Sequence, residues 1–179
     1  IRKSSLSASI STLLIGFSLL TATLAYNSSI TQLSPILDSP WLSVHVTTIM
    51  ISYTLFGLIT LNSIVALYIL WRRADFTFLT YTQRNNLLLL YPAIWLLVIG
   101  IILGSIWANQ SWGSYWSWDP KEVWALISAL VYLYPLQSQL KEATNAKNFH
   151  IYIAFAFFSI LFTYFGVNHL LGGLHSYVQ

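Results

Sequence analysis

Apolar residues run along this chain in long blocks that charged residues do not interrupt. Five stretches contain no Lys, Arg, Asp or Glu: Leu6 to Tyr26, Val44 to Trp71, Leu87 to Trp107, Val123 to Leu140 and Phe149 to Leu171. A helix needs about 20 predominantly apolar residues to cross a bilayer. The pattern therefore predicts an all-α protein, a polytopic transmembrane helical bundle with about five spans, read as a single membrane domain over residues 1–179. Between the spans lie a polar loop with two prolines (Asn27 to Pro40), a basic linker (Arg72 to Asn86), a tryptophan-rich loop (Ala108 to Glu122) and a short polar turn (Lys141 to Asn148). No internal repeat stands out.

An odd number of spans puts the termini on opposite sides, and Lys and Arg gather on the cytoplasmic side of a membrane protein. With the N-terminus cytoplasmic, Arg2, Lys3, Arg72, Arg73, Arg84, Lys141 and Lys147 all lie inside, and only Lys121 lies outside. The expected orientation is thus N-terminus cytoplasmic and C-terminus extracytoplasmic. The outer face then collects the loop after the first span, the start of the second span with His45, the tryptophan-rich loop, and the tail with His175.

Composition supports a membrane protein and narrows its chemistry. Hydrophobic residues make up 56% of the 179 positions and charged residues 7%, against about 25% charged in a soluble domain. An ordinary soluble enzyme is excluded. The formal charge of +3 comes from scattered basic residues at span ends, with no stripe that would fit a nucleic acid. Cysteine is absent, which removes disulfides, thiolate metal sites, a thiol nucleophile and covalent haem attachment to this chain. Histidine must then supply any metal or haem ligation, from His45, His150, His169 and His175. The chain opens at Ile1 with its one methionine at Met50, so a piece of a longer protein is expected.

Five of the eight tryptophans lie between Trp107 and Trp124. An aromatic belt at the membrane interface accounts for some of them, but the density exceeds a usual belt. Asp119-Pro120-Lys121-Glu122 reads as a helix start, with Asp at the N-cap, Pro at the first helical position and Glu three residues after the cap. Upstream, Trp112, Trp116 and Trp118 are separated by Gly113 and serines, so the backbone can approach a flat object while the indoles cover it. A large planar apolar ligand at the bilayer edge suits such a surface.

The run Trp-Gly-Ser-Tyr-Trp-Ser-Trp-Asp-Pro-Lys-Glu-Val-Trp at 112–124 closely resembles the tryptophan-rich signature of the membrane haem-handling proteins of cytochrome c maturation, of the CcsA/ResC type, with CcmC and CcmF as more distant relatives. Trp41-Leu-Ser-Val-His45 and Tyr164-Phe-Gly-Val-Asn168 followed by Gly173-Leu-His175-Ser-Tyr177 support the likeness, which covers about Trp41 to Gln179. The resemblance implies that loop 108–122 is an extracytoplasmic haem-binding loop. It implies further that His45 and His175, one on either side of it, are axial ligands of haem iron, with Trp112, Trp116, Trp118, Asp119 and Trp124 forming a platform for the porphyrin. Ligation by two imidazoles without thioether bonds would keep the haem releasable.

His169 is expected at the outer interface and His150 at the cytoplasmic start of the fifth span, with no role beyond solvation. Many relatives place a histidine of an inner haem site where this chain has Gln137, and glutamine is a poor iron ligand. The resemblance does not extend to an inner site.

The implied function is cytochrome c biogenesis: holding noncovalent haem b at the outer face and presenting it for attachment to apocytochrome c, as the haem-presenting component of a cytochrome c synthase, or haem lyase. Implied partners are the apocytochrome, a CcsB/ResB-type membrane protein, which a CcsB–CcsA fusion would place in the same polypeptide, and membrane lipid. The implied location is the bacterial cytoplasmic membrane, with a thylakoid membrane as the alternative. A cytochrome b-like electron-transfer subunit is the rival reading, but such subunits bury histidine pairs in facing spans, and mid-span histidines are missing here. A transporter without haem, favoured only by Pro92 and Pro135 inside spans, ranks last.

Overall fold

The computed structural model describes residues 39–171 and residue 173, within one compact unit of the chain. The expected first span, Leu6 to Tyr26, and His175 lie outside the described residues. Helix α1, Pro40–Arg73, begins where extended Ser39 meets a proline at the first helical position. It ends on Arg72 and Arg73, whose charges suit the negative end of the helix dipole, and on Ala74 in the left-handed conformation. Only Ala74 and Asp75 separate it from α2, Phe76–Trp112. The Asp75 carboxylate accepts the Phe78 N–H at 2.8 Å and starts that helix. Helix α3, Pro120–Gln137, is joined by two single tight turns, Gln139–Lys141 and Ala143–Asn145, to α4, Ala146–Leu161. The last helix then continues in wide, π-type turns over Phe162–Leu171.

Three stretches of the described residues are long and apolar enough to cross a membrane: Pro40–Arg73, Phe76–Trp112 and Ala143–Val167. At 1.5 Å per residue, the 34 residues of α1 and 37 of α2 reach about 50 Å, well past a hydrocarbon core of about 30 Å. That excess corrects two boundaries. The basic linker expected over Arg72 to Asn86 is mostly helix, because α2 projects beyond the bilayer and its threonines return their hydroxyls to its own carbonyls, as Thr82 does to Phe78 at 2.9 Å. The tryptophan-rich loop is shorter than Ala108 to Glu122: α2 runs through Trp112 and stops at Gly113, whose left-handed backbone (φ 74) lets its N–H reach the Asn109 carbonyl at 2.9 Å.

All four helices contribute to one core, with Phe56 and Ile59 from α1, Leu90 and Leu97 from α2, Tyr132 from α3, and Phe149 and Ile153 from α4. Phe56 and Tyr132 stack with ring centroids 3.9 Å apart. Large apolar side chains such as Trp95, Leu130, Phe155 and Phe158 face outward, as they should on a bundle whose solvent is lipid. The molecule is a helical membrane bundle.

Polar residues join the helices from within, and His150 is among them. It is not solvated but fully buried, at 0% exposure. The Leu79 carbonyl can only accept, so the Nε2 proton of His150 is donated to it at 3.0 Å. Nδ1 then accepts from the Ser63 hydroxyl at 3.0 Å. Ser63 in turn accepts from Asn86 Nδ2 at 3.0 Å, and Asn86 Oδ1 accepts from Asn62 Nδ2 at 3.2 Å. Burial of His150 depends on partners 71 and 87 residues away in sequence, which no local pattern reveals.

Candidate functional site at the tryptophan-rich segment

A cavity of about 220 Å³ opens where the start of α1, the end of α2, the tryptophan-rich loop, the start of α3 and the wide turns after α4 converge. His45, Trp107, Tyr115, Trp116, Lys121 and Thr163 are in its wall. Its walls are largely apolar and aromatic, with a few polar groups among them, the usual make-up of a ligand site. His45 lies in the second turn of α1, because Pro40 starts the helix one turn earlier than the apolar pattern does. Its Nδ1 is 2.7 Å from the carbonyl oxygen of Gly100. A carbonyl only accepts, so Nδ1 donates its proton, and in the neutral ring the lone pair is then on Nε2.

The imidazole fits because α2 is bare beneath it. A Cβ on Gly104 would sit 2.7 Å from His45 Cε1 and 2.8 Å from Nδ1, and one on Gly100 would sit 2.8 Å from Ile49 Cγ1. Gly100 and Gly104 occupy one face of α2, and His45 and Ile49 one face of α1, each pair four residues apart. Small residues at this spacing let membrane helices approach closely.

The Asp119–Glu122 capping box is present as expected. Asp119 Oδ2 accepts the Lys121 N–H at 3.1 Å, and Glu122 Oε2 accepts the Asp119 N–H at 3.2 Å. The same Glu122 oxygen accepts the Ser117 N–H at 2.9 Å. Glu122 thereby grips the backbone on both sides of Trp118, which has a left-handed φ of 59, an uncommon conformation for a residue with a side chain. Trp118 is exposed and stands edge-on to Trp116, with centroids 5.9 Å apart. Burial lowers the pKa of the Lys121 ammonium from its ordinary value, and the Asp119 carboxylate opposes that shift.

Of the expected site residues, His45 and Trp116 line the cavity. Trp112 belongs to the last turn of α2 and packs edge-on against the buried Trp107, 4.9 Å between centroids. Trp124 turns to Phe162, at 4.2 Å, and is not part of the cavity wall. Asp119 is buried under Gly173, so close that a side chain at residue 173 would collide with its carboxylate. His175 lies outside the described residues. His169 is exposed. Gln137, in the last turn of α3, is exposed as well. The site residues that the sequence did not single out are Gly100, Gly104, Tyr115 and Thr163. Of these, only the Gly-x-x-x-Gly spacing was visible in the sequence.

The profile of the family described as Cytochrome C assembly protein matches residues 2–175. Protein NrfI of Wolinella succinogenes is 43% identical over 186 residues, covering 99% of this chain and 20% of that protein. The cytochrome c biogenesis protein CcsA of Chlamydomonas reinhardtii is 43% identical over 151 residues, covering 81% of this chain and 42% of its own length. CcsA of Ranunculus macranthus is 33% identical over 186 residues, with 82% and 59% covered. The chain therefore spans less than two thirds of the length of each of these relatives. With its tryptophan-rich segment folded against a histidine of the first described helix, and with a profile match over nearly its whole length, the chain belongs to the cytochrome c assembly protein family, as a member of the CcsA type.

Proposed function

We propose that the chain acts in cytochrome c maturation by holding haem b, without a covalent bond, at the outer face of the membrane and presenting it to apocytochrome c. The observation that carries this reading is the placement of His45, with its lone pair on Nε2, in the wall of an aromatic cavity built from the tryptophan-rich segment. A neutral imidazole in that tautomer is a fit ligand for haem iron. At about 220 Å³ the cavity is small for a ligand pocket, so a porphyrin would fill it and extend beyond it. His175 is the second ligand in this reading. Gly173, two residues before it, lies against Asp119 at the end of the tryptophan-rich loop.

Haem would supply the vinyl groups, and the apocytochrome the thiols. The chain's own part is to bind, orient and exclude water: His45 and His175 hold the iron, and Trp112, Trp116, Trp118, Asp119 and Trp124 form or brace the platform. In this role it is the haem-presenting component of a haem lyase system, working with a CcsB/ResB-type membrane protein, in a bacterial cytoplasmic or a thylakoid membrane. The rival electron-transfer reading needs paired histidines buried between spans. The buried histidine among the described residues, His150, already has both ring nitrogens in hydrogen bonds to Ser63 and Leu79.

The test is the absorption spectrum of the detergent-purified protein with a pyridine haemochrome assay. Haem b in a six-coordinate bis-imidazole state is expected. Replacing either His45 or His175 with Gly should remove that state and abolish cytochrome c maturation. A bis-imidazole spectrum that persists in the double variant overturns the ligand assignment.

A further inference from the structure

We propose that Gly100 and Gly104 are positioning residues for His45: the Gly100 carbonyl holds the imidazole in one tautomer, and the bare backbone at Gly104 gives the ring its seat. This inference rests on His45 acting as a haem ligand, and it names what sets the strength and direction of that ligand. The geometry is specific. The Nδ1 to Gly100 oxygen distance of 2.7 Å joins residues 55 positions apart on different helices. All three ring atoms closest to Gly104, Cε1, Nδ1 and Nε2, lie within 3.3 Å of where its Cβ would be. A ring held on both counts has little freedom to turn. Partners that accept the second ring proton of a metal-bound histidine fix its orientation and raise its basicity. Here that partner is a helix carbonyl, which cannot be lost by a side-chain substitution.

Two measurements test this. In the His45→Gly variant, free imidazole, an imidazole methylated on a ring carbon and an imidazole methylated on nitrogen are titrated into the haem-loaded protein in detergent. The first two keep an N–H for the Gly100 carbonyl; the third has the bulk of the second but no proton to donate. The carbon-methylated ligand should bind about five-fold more tightly than the nitrogen-methylated one, as expected for one net hydrogen bond. It should also give a lower haem reduction potential. Separately, Gly104→Ala in the intact protein should convert six-coordinate haem to a mixture with a five-coordinate form, while Ile102→Ala, on the exposed face of α2, should not.

Equal binding and potential for the two methylated ligands overturns the role of the Gly100 carbonyl, and an unchanged spectrum in Gly104→Ala overturns the seat. If none of the ligands enters the His45→Gly cavity, the comparison of Gly104→Ala with Ile102→Ala decides. A His45→Gly protein that shows bis-imidazole haem with no ligand added fails at an earlier point. That result removes His45 from the iron altogether, and is distinguishable from failure of the positioning role alone.

Discussion

Gly173 lies against the carboxylate of Asp119, with no room between them for a side-chain carbon. Its φ of 142 is also one that residues with side chains rarely adopt. The contact sets Gly173 against the N-cap of α3. Gly173→Ala should therefore lower haem content and cytochrome c maturation several-fold at near-normal protein level. Gly113→Ala is the matched control: that glycine has a positive φ too, but open space around its missing Cβ, so it carries only the backbone strain of about 1 kcal/mol. Equal haem content in the two variants would show that the Gly173 contact has no functional weight.

Glu122 holds the peptide groups on both sides of Trp118. Removing its carboxylate in Glu122→Ala should release the left-handed turn, cost about 1 kcal/mol of helix-start stability and raise the mobility of the exposed indole. Glu122→Gln, which keeps an acceptor oxygen, should retain most of the order. Tryptophan fluorescence anisotropy, in a background where Trp41, Trp71 and Trp95, the other exposed tryptophans among the described residues, are replaced by Phe, reads the difference. Identical anisotropy in Glu122→Ala and the parent contradicts the grip.

Trp116 is half-buried and Trp118 exposed, so replacing both with Ala leaves the core intact. The loss of flat apolar contact should weaken haem retention about tenfold, in keeping with one to two kcal/mol for such surfaces, while both iron ligands remain. Measured haem content at normal protein level checks this. No change would return the segment to the status of an interfacial belt.

His150→Ala should destabilise the bundle by about 1–3 kcal/mol, because Ser63 and the Leu79 carbonyl lose their buried partner. The surviving folded fraction should keep its haem spectrum, since the histidine takes part in helix association and not in the cavity. Thermal unfolding in detergent, scored together with the Soret band, separates the two effects.

A reporter fused after Gln179 should register extracytoplasmic and one placed between Lys141 and Lys147 cytoplasmic, because the basic residues segregate seven to one. Both reporters on one side would break the arrangement that lets His45 and His175 face the same compartment.

The parts of this structure legible in the sequence are those decided by near neighbours. The Asp119–Glu122 capping box is written in four consecutive residues, and the apolar blocks follow from lipid as solvent. The start of α2 was not legible, because polar residues of a helix that projects past the bilayer look like a linker when judged by hydropathy alone. His150 was misjudged for a different reason: its surroundings are set by Ser63 and Leu79 on other helices. Gly100 and Gly104 carried a recognisable spacing, but spacing does not say which helix approaches, and only the fold brings His45 to them.

The polar chain around His150 runs in one direction, from Asn62 through Asn86 and Ser63 to His150, and finishes on the Leu79 carbonyl. Two of its members are amides, which donate and accept but do not readily hand a proton onward, and its last acceptor is a backbone oxygen with no proton to release. A bundle that binds its helices together with such a chain acquires cohesion without conductance. The hydrogen bonds that hold α1, α2 and α4 together along this chain of groups pass no proton from its first member to its last.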